Sequence, residues 1–278
     1  MVAIAAAGAT FAAVPGWSTL ARAALADTVA TIAVFAFSAV SGNSSFYDPY
    51  WSVAPMVIAA WLFFGPYAGA GVVSRRVLLF AVVWFWGARL TYNWLRGWQG
   101  LHHEDWRYVD LRAKTKKAYW LVSFSGIHYF PTVCTFLGSI PLFSAMRSDR
   151  PLSALDLVGV AVAFAGALLE TVSDAQLRAF RDRPGGGGGV CNIGLWRFSR
   201  HPNYLGECTF WLGLFIAGVA AEPGSAALGS LGFVVILALF QLGSIPMAER
   251  RALARRPEYA EHQRRVSRFL LWFPKGPR

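Results

Sequence analysis

The sequence predicts an all-α polytopic membrane protein of about seven transmembrane helices, with a cytoplasmic C-terminal helical lip. Three observations predict it. Hydrophobic residues make up 55% of the 278 positions and charged residues only 15%, against about 25% charged in an average soluble domain. Apolar stretches of roughly 20 residues, long enough to cross a bilayer as helices, recur along nearly the whole chain. The 26 Lys and Arg residues are placed unevenly, six in 96–117, five in 173–202 and nine beyond residue 245.

The first 15 residues are apolar but short for a span. No basic region precedes them, so they make a poor signal peptide. Residues 1–23 are therefore an extra interfacial or membrane segment. The spans run over about 24–41, 50–72, 75–95, 118–143, 153–172, 203–221 and 226–245. With seven spans the three basic regions share one side. The positive-inside rule makes that side the cytoplasm and places the C-terminus there. The formal charge of +11 then reflects topology and implies no nucleic-acid partner. The chain reads as a single integral-membrane domain over 1–278, its last part, 246–278, forming cytoplasmic helices.

Cys134, Cys191 and Cys208 show no CxxC or Cys/His spacing, so no metal site is expected. The glycine run 185–189 is not followed by Gly-Lys-Ser/Thr and reads as a flexible linker rather than a phosphate loop.

Ionisable residues in or beside a span are costly and mark function or pairing. In "LLETVSDAQLRAFR", 168–181, Glu170, Asp174 and Arg178 are four apart and share one helix face that leads toward Arg181. A self-satisfied ion-pair ladder is the plain reading of that face. In "RFSRHPNYLGE", 197–207, Pro202 suits the first turn of a helix. The free N–H groups of such a turn favour an anion. Arg197, Arg200, His201 and Tyr204 stand beside it, with Asn203 and Glu207 four apart one turn deeper. Tyr92, Asn93 and Arg96 lie near a membrane boundary, and Asp48 precedes Pro49 where a turn or helix start is the plain reading. The ending "MAERRALARRPEYAEHQRRVSRFLLWFP" makes a basic helix, a break near Pro257 and a second short helix with an apolar patch. Glu249, Arg250, Tyr259 and Glu261 lie on these helices.

Together "GLWRFSRHPNYLGE", the upstream Glu170, Asp174 and Gln176, the "HEDWRY" loop and the ending "ERRALARRPEYAEHQRR…FLLWFP" resemble the steroid 5α-reductase superfamily. They most resemble its bacterial-type branch of uncharacterised membrane proteins. The resemblance covers about 48–274 and is densest over 168–274. It implies a seven-helix membrane reductase that transfers hydride from NADPH to a conjugated carbon–carbon double bond of a lipid or steroid-like enone. It implies a cofactor site built from Glu170, Asp174, Arg178, Arg181, Arg197, Arg200, His201, Asn203, Tyr204, Glu207, Glu249, Arg250 and Tyr259. Arginine suits the phosphates through its bidentate fork. It also implies a hydrogen-bond donor at the substrate carbonyl, where negative charge develops; Tyr92 backed by Asp48 is the nearest counterpart of the family's tyrosine and acid. Isoprenylcysteine carboxyl methyltransferases carry a similar "RHPxYxG"-like turn and use S-adenosylmethionine, which makes a membrane methyltransferase the second expectation. A non-catalytic lipid-binding protein is the third.

Overall fold

The computed structural model describes residues 1–67, 69–184 and 188–276. Among them the chain is helical, with no β-strand. Three of the five linker glycines, 185–187, lie outside the described residues. Among the described residues four helices are long and apolar enough to cross a membrane: Thr19–Ser41, Ala154–Arg181, Pro202–Ala221 and the continuous run Pro223–Arg255.

Helix α1 (Val2–Ala13) folds back along α2 (Thr19–Ser41). Ser18 caps α2 by accepting from Ala21 N, and Gly42, in the left-handed region at φ 67°, ends it. Helix α3 (Tyr50–Phe64) stops well short of the expected span 50–72. Gly65 and Pro66 follow it, and the residue before a proline is pushed out of the helical region. Its 15 residues reach about 22 Å at ~1.5 Å each, less than a hydrocarbon core of about 30 Å.

Helix α4 (Val73–Gly97) carries Arg75, Arg76, Arg89 and Arg96. The first two are fully buried rather than solvated. Arg75 Nε donates to Asp156 Oδ1 at 2.6 Å, and its Nη2 reaches the Arg150 carbonyl at 2.9 Å. Arg76 Nη2 donates to the carbonyls of Leu62 and Phe63, at 3.1 and 2.6 Å, which covers the open C-terminal end of α3.

The basic loop holds α5 (Trp106–Thr115). Next, α6 (Tyr119–Val122), a π-helical turn (Ser123–Tyr129) and α7 (Phe130–Ala145) follow one another without a break. A second π-turn, Leu239–Ser244, joins α10 (Ala226–Ala238) to α11 (Ile245–Arg255). Each π-turn runs into a proline, Pro131 and Pro246. A residue without an N–H cannot keep the regular i→i−4 ladder, and a wider turn absorbs the mismatch.

The tightest seam joins α8 (Ala154–Arg181) to α9 (Pro202–Ala221). A Cβ on Gly166 would sit 2.4 Å from Phe210 N, and one on Gly213 would sit 2.2 Å from Ala163 N. Small residues let the two backbones touch. Behind the seam Trp86 stacks on Phe210 with ring centroids 4.5 Å apart, and Trp211 meets Trp86 edge-on. Arg75–Asp156 and Arg89–Glu170 are both α4–α8 ion pairs, and both partners advance by 14 positions from one pair to the other. The two helices therefore run parallel. The chain closes with α12 (Tyr259–Arg265).

Candidate cofactor site and its neighbours

The close α8–α9 seam sets the site. A Cβ on Gly206 would sit 2.6 Å from Glu170 N, so Glu170 lies one turn from Asn203 and Glu207 across the seam. Arg89 enters from α4, pairing with Glu170 and donating from Nη1 to Asp174 Oδ2 at 3.0 Å. Asp174 also accepts from Asn93 Nδ2 at 3.3 Å and from Asn203 Nδ2 at 3.4 Å. Glu170, Asp174 and Asn203 are thus brought together as expected, but the cation between the acids is Arg89. A self-satisfied ladder within α8 is replaced by a bridge from α4, while Arg178 acts on Asp174 only through its charge. The Oδ1 of Asn203 is buried with no hydrogen-bond partner among the described residues.

Glu207 is buried and does not pair with an arginine. Its two carboxylate oxygens each accept an indole N–H at 2.8 Å, from Trp86 and Trp211. Beside the acidic cluster a cleft of ≈ 360 Å³ is lined by Arg89, Tyr92, Asn93, Arg96, Arg178 and Asp182, among others. Tyr92 is exposed there, with the Arg96 guanidinium 5.5 Å from its ring centroid.

Arg200 serves a different purpose from a free phosphate ligand. It is buried, and its Nε donates to Glu249 Oε1 at 2.6 Å. Its Nη1 donates to the carbonyls of Gln263 and Val266 at 2.8 and 2.7 Å. His201 Nε2 lies 3.2 Å from the same Glu249 oxygen, and Gln263 Nε2 donates to the other at 2.9 Å. This clasp ties the start of α9 to α11 and α12. The ring of His201 stacks on Tyr204, 5.4 Å between centroids and nearly parallel. Tyr259 is buried beside the clasp, and burial pushes its phenol up to about 12. Arg181, Arg197 and Arg250 are exposed; Arg250 Nε donates to the Pro246 carbonyl of its own helix at 3.2 Å. The thirteen expected cofactor residues therefore divide between an acid–amide cluster, the cleft-lining Arg178, a C-terminal clasp with its neighbour Tyr204, and three outlying arginines.

Two motifs far apart in sequence meet at Asp48. Asn43 Nδ2 donates to the carbonyls of Leu101 and His103, both at 3.0 Å, and Ser44 N donates to Glu104 at 2.8 Å. These bonds lay the "HEDWRY" loop over the 3-10 turn Ser44–Tyr47. The Tyr108 hydroxyl then donates to Asp48 in a short hydrogen bond, and Arg107 Nη2 reaches the same oxygen at 3.4 Å. The expectation that Asp48 backs Tyr92 is corrected: its phenol partner is Tyr108, because the loop folds onto the turn while Tyr92 faces the cleft. Burial raises the Asp48 carboxyl to about 6, against the pull of Arg107 and Tyr108. Burial also holds the Tyr108 phenol well above its usual value, against the pull of Arg107. Tyr204 lies within electrostatic reach of Arg107, Asp174 and Glu170, so the Asp48 turn and the acidic cluster flank the same start of α9.

A family model described as "Protein of unknown function (DUF1295)" matches residues 34–266. The chain belongs to the DUF1295 family. DUF1295 proteins fall in the steroid 5-alpha-reductase-like group. This DUF1295 chain is also similar to "Uncharacterized protein C594.04c" of Schizosaccharomyces pombe (strain 972 / ATCC 24843), at 29% identity over 252 residues, covering 82% of this chain and 72% of that one. No solved structure matches. In the DUF1295 chain the residues missed from sequence are Arg107, Trp86 and Trp211, together with the partners of Arg89 and Tyr108. Arg89 carried a signal, as a charge inside an otherwise apolar span. The two tryptophans carried none, since nothing local distinguishes an indole that meets a carboxylate from one that anchors a helix.

Proposed function

We propose that this DUF1295 protein is a membrane-embedded reductase that uses NADPH to saturate a conjugated carbon–carbon double bond in a lipid or steroid-like enone. It is read as an integral membrane protein of about seven crossings, with its C-terminus in the cytoplasm, from the bacterial-type branch of its group. The observation that carries the reading is the buried Asn203 Oδ1 without a partner among the described residues, linked through Asp174 and Asn93 to a cleft lined by Arg89, Arg96 and Arg178. An amide N–H or sugar hydroxyl of a nucleotide supplies the donor this oxygen lacks. Arg96 and Arg178 suit its phosphates, which S-adenosylmethionine does not carry, while Arg89 is held by Glu170 and Asp174.

When bound, NADPH supplies the hydride. The protein's own residues do the rest. Asp174 and Asn203 orient the nucleotide, while Arg96 and Arg178 neutralise it from the cleft. Arg200, His201, Glu249 and Tyr259 hold the C-terminal helices over the start of α9, and Arg181, Arg197 and Arg250 add positive potential around the entrance. The Tyr108 hydroxyl has a single proton and gives it to Asp48, so Tyr92, on the cleft, is the phenol available to a substrate carbonyl. A phenol stays protonated at neutral pH and can donate where negative charge develops.

The deciding experiment measures binding of NADPH, NADH and S-adenosylmethionine to the purified full-length protein in detergent. NADPH is expected to bind most tightly, with Arg178→Ala and Asn203→Ala weakening it. Preferential binding of S-adenosylmethionine would favour the methyltransferase reading, and no binding of any of the three would favour a non-catalytic lipid-binding protein.

A further inference from the structure

A second cavity lies away from the nucleotide cleft, between α1, α2 and α3. It is half-open, ≈ 470 Å³ in volume, and walled by apolar side chains that include Ile4, Phe11, Val34, Val57 and Trp61. This volume is within the range of about 300–1,000 Å³ typical of small-molecule sites. The cavity is a built feature. Arg22 Nε and Nη2 donate to the Phe11 carbonyl at 3.0 and 2.7 Å, and the Phe11 ring meets Trp61 at 4.7 Å between centroids. These contacts fix one end of α1 against α2 and α3.

One carboxyl group interrupts the apolar wall. Asp27, on α2, is 8% exposed and lines the cavity. Its Oδ1 accepts from the Tyr50 hydroxyl at 2.5 Å, and the same hydroxyl lies 3.1 Å from the Asp27 carbonyl. Its Oδ2 is buried with no hydrogen-bond partner among the described residues, and no described cation pairs with it. A buried carboxyl oxygen left without a donor is costly. A ligand that brings one hydrogen-bond donor on an otherwise apolar body removes that cost.

We propose that this cavity binds a membrane-derived apolar alcohol, a long-chain or polycyclic molecule whose single hydroxyl donates to Asp27 Oδ2. Tyr50 holds the carboxyl group in place, and the walls from α1, α2 and α3 take up the hydrocarbon. Asp27 and all of α1 lie outside the family-matched range 34–266, whereas Tyr50, which holds the carboxyl group, lies inside it. The proposal does not depend on the reductase reading, and its test uses no nucleotide.

The test is photo-labelling of the full-length protein in detergent with a diazirine-bearing C16 primary alcohol and with its methyl ether. The ether has the same chain but no donor. The alcohol is expected to label residues 1–61 roughly tenfold more efficiently than the ether, the size of one lost hydrogen bond. Asp27→Leu should bring the alcohol down to the ether's level, and Ala54→Trp, which fills the cavity, should remove labelling by both. Equal labelling of the wild-type protein by alcohol and ether, or labelling centred outside 1–61, overturns the proposal. That comparison needs no variant to fold.

Discussion

Arg89 and Glu170 face each other as an ion pair inside the helix bundle, guanidinium against carboxylate, and Arg89 Nη1 donates to Asp174 one turn along α8 at 3.0 Å. Neither residue of the pair is more than about a tenth exposed, so neither charge can fall back on water. Removing one partner strands the other. Arg89→Met should lower unfolding stability in detergent by about 3–5 kcal/mol. Arg89→Met combined with Glu170→Met should recover part of that loss. A double variant no more stable than the single one would mean that the pair is not the source of the effect.

Arg200→Ala should loosen the C-terminal segment before it affects anything else. The guanidinium holds Glu249 and two carbonyls of 263–266. Trypsin should cut the variant rapidly between residues 250 and 268 while the rest of the chain stays resistant. Unchanged cleavage kinetics would show that the clasp does not hold the lip.

Glu207→Gln tests whether the acid is a structural acceptor. Each of its oxygens receives an indole N–H, and a glutamine amide would point N–H₂ at one of them. Two opposed donors in a buried site cost about 1–3 kcal/mol. The thermal midpoint should drop, accompanied by a change in tryptophan fluorescence from Trp86 and Trp211. An unchanged midpoint would leave Glu207 free for a ligand role.

Asp48 makes stability depend on pH. Its folded-state pKa is raised from 3.8 to about 6, first by burial, so the folded protein binds this proton more tightly than the unfolded chain. The resulting stabilisation is fully present below about pH 4 and is lost as pH rises through about 6. His262 runs the other way. Burial lowers it to about 4, so its contribution is present above its unfolded value and disappears as pH falls through about 4. Comparing wild type with Asp48→Asn isolates the first effect: the wild type should lose stability relative to the variant between pH 4 and 6. A constant difference across that window would contradict the shift.

Reporters fused after residues 110, 190 and 270 should read cytoplasmic, and one after 148 should read the opposite side. A cytoplasmic reading at 148 would break the proposed arrangement of crossings.

The helical class was legible from composition and apolar runs because burial in hydrocarbon demands both. The shared face of Glu170 and Asp174 on α8 was legible too, since four-residue spacing fixes a helix face; their meeting with Asn203 across the seam is not contained in that spacing. What escaped was pairing between distant segments. Arg89 looked like an isolated charge, and its acids lie more than 80 positions away. Asp48 is paired with Tyr92 by resemblance to the family's acid and tyrosine; only the fold shows the 101–112 loop lying over the 43–48 turn and delivering Tyr108 instead. Arg200 looked like a phosphate ligand because the sequence does not show that the carbonyls of 263 and 266 return to meet it. Helix α3 was drawn too long because apolar residues continue past Gly65, and hydropathy alone does not see the break.

The parallel pairing of α4 with α8 has a consequence for biosynthesis. Arg75 waits for Asp156 and Arg89 for Glu170, and each acid is made 81 residues after its arginine. At roughly 5–20 residues per second, α4 leaves the ribosome on the order of 4 to 16 seconds before its partners exist. During that interval its arginines cannot be neutralised by the acids that bury them later. α4 therefore carries these arginines without their acids until α8 arrives, and its final packing completes only then, which makes assembly of this chain a paired event rather than a helix-by-helix one.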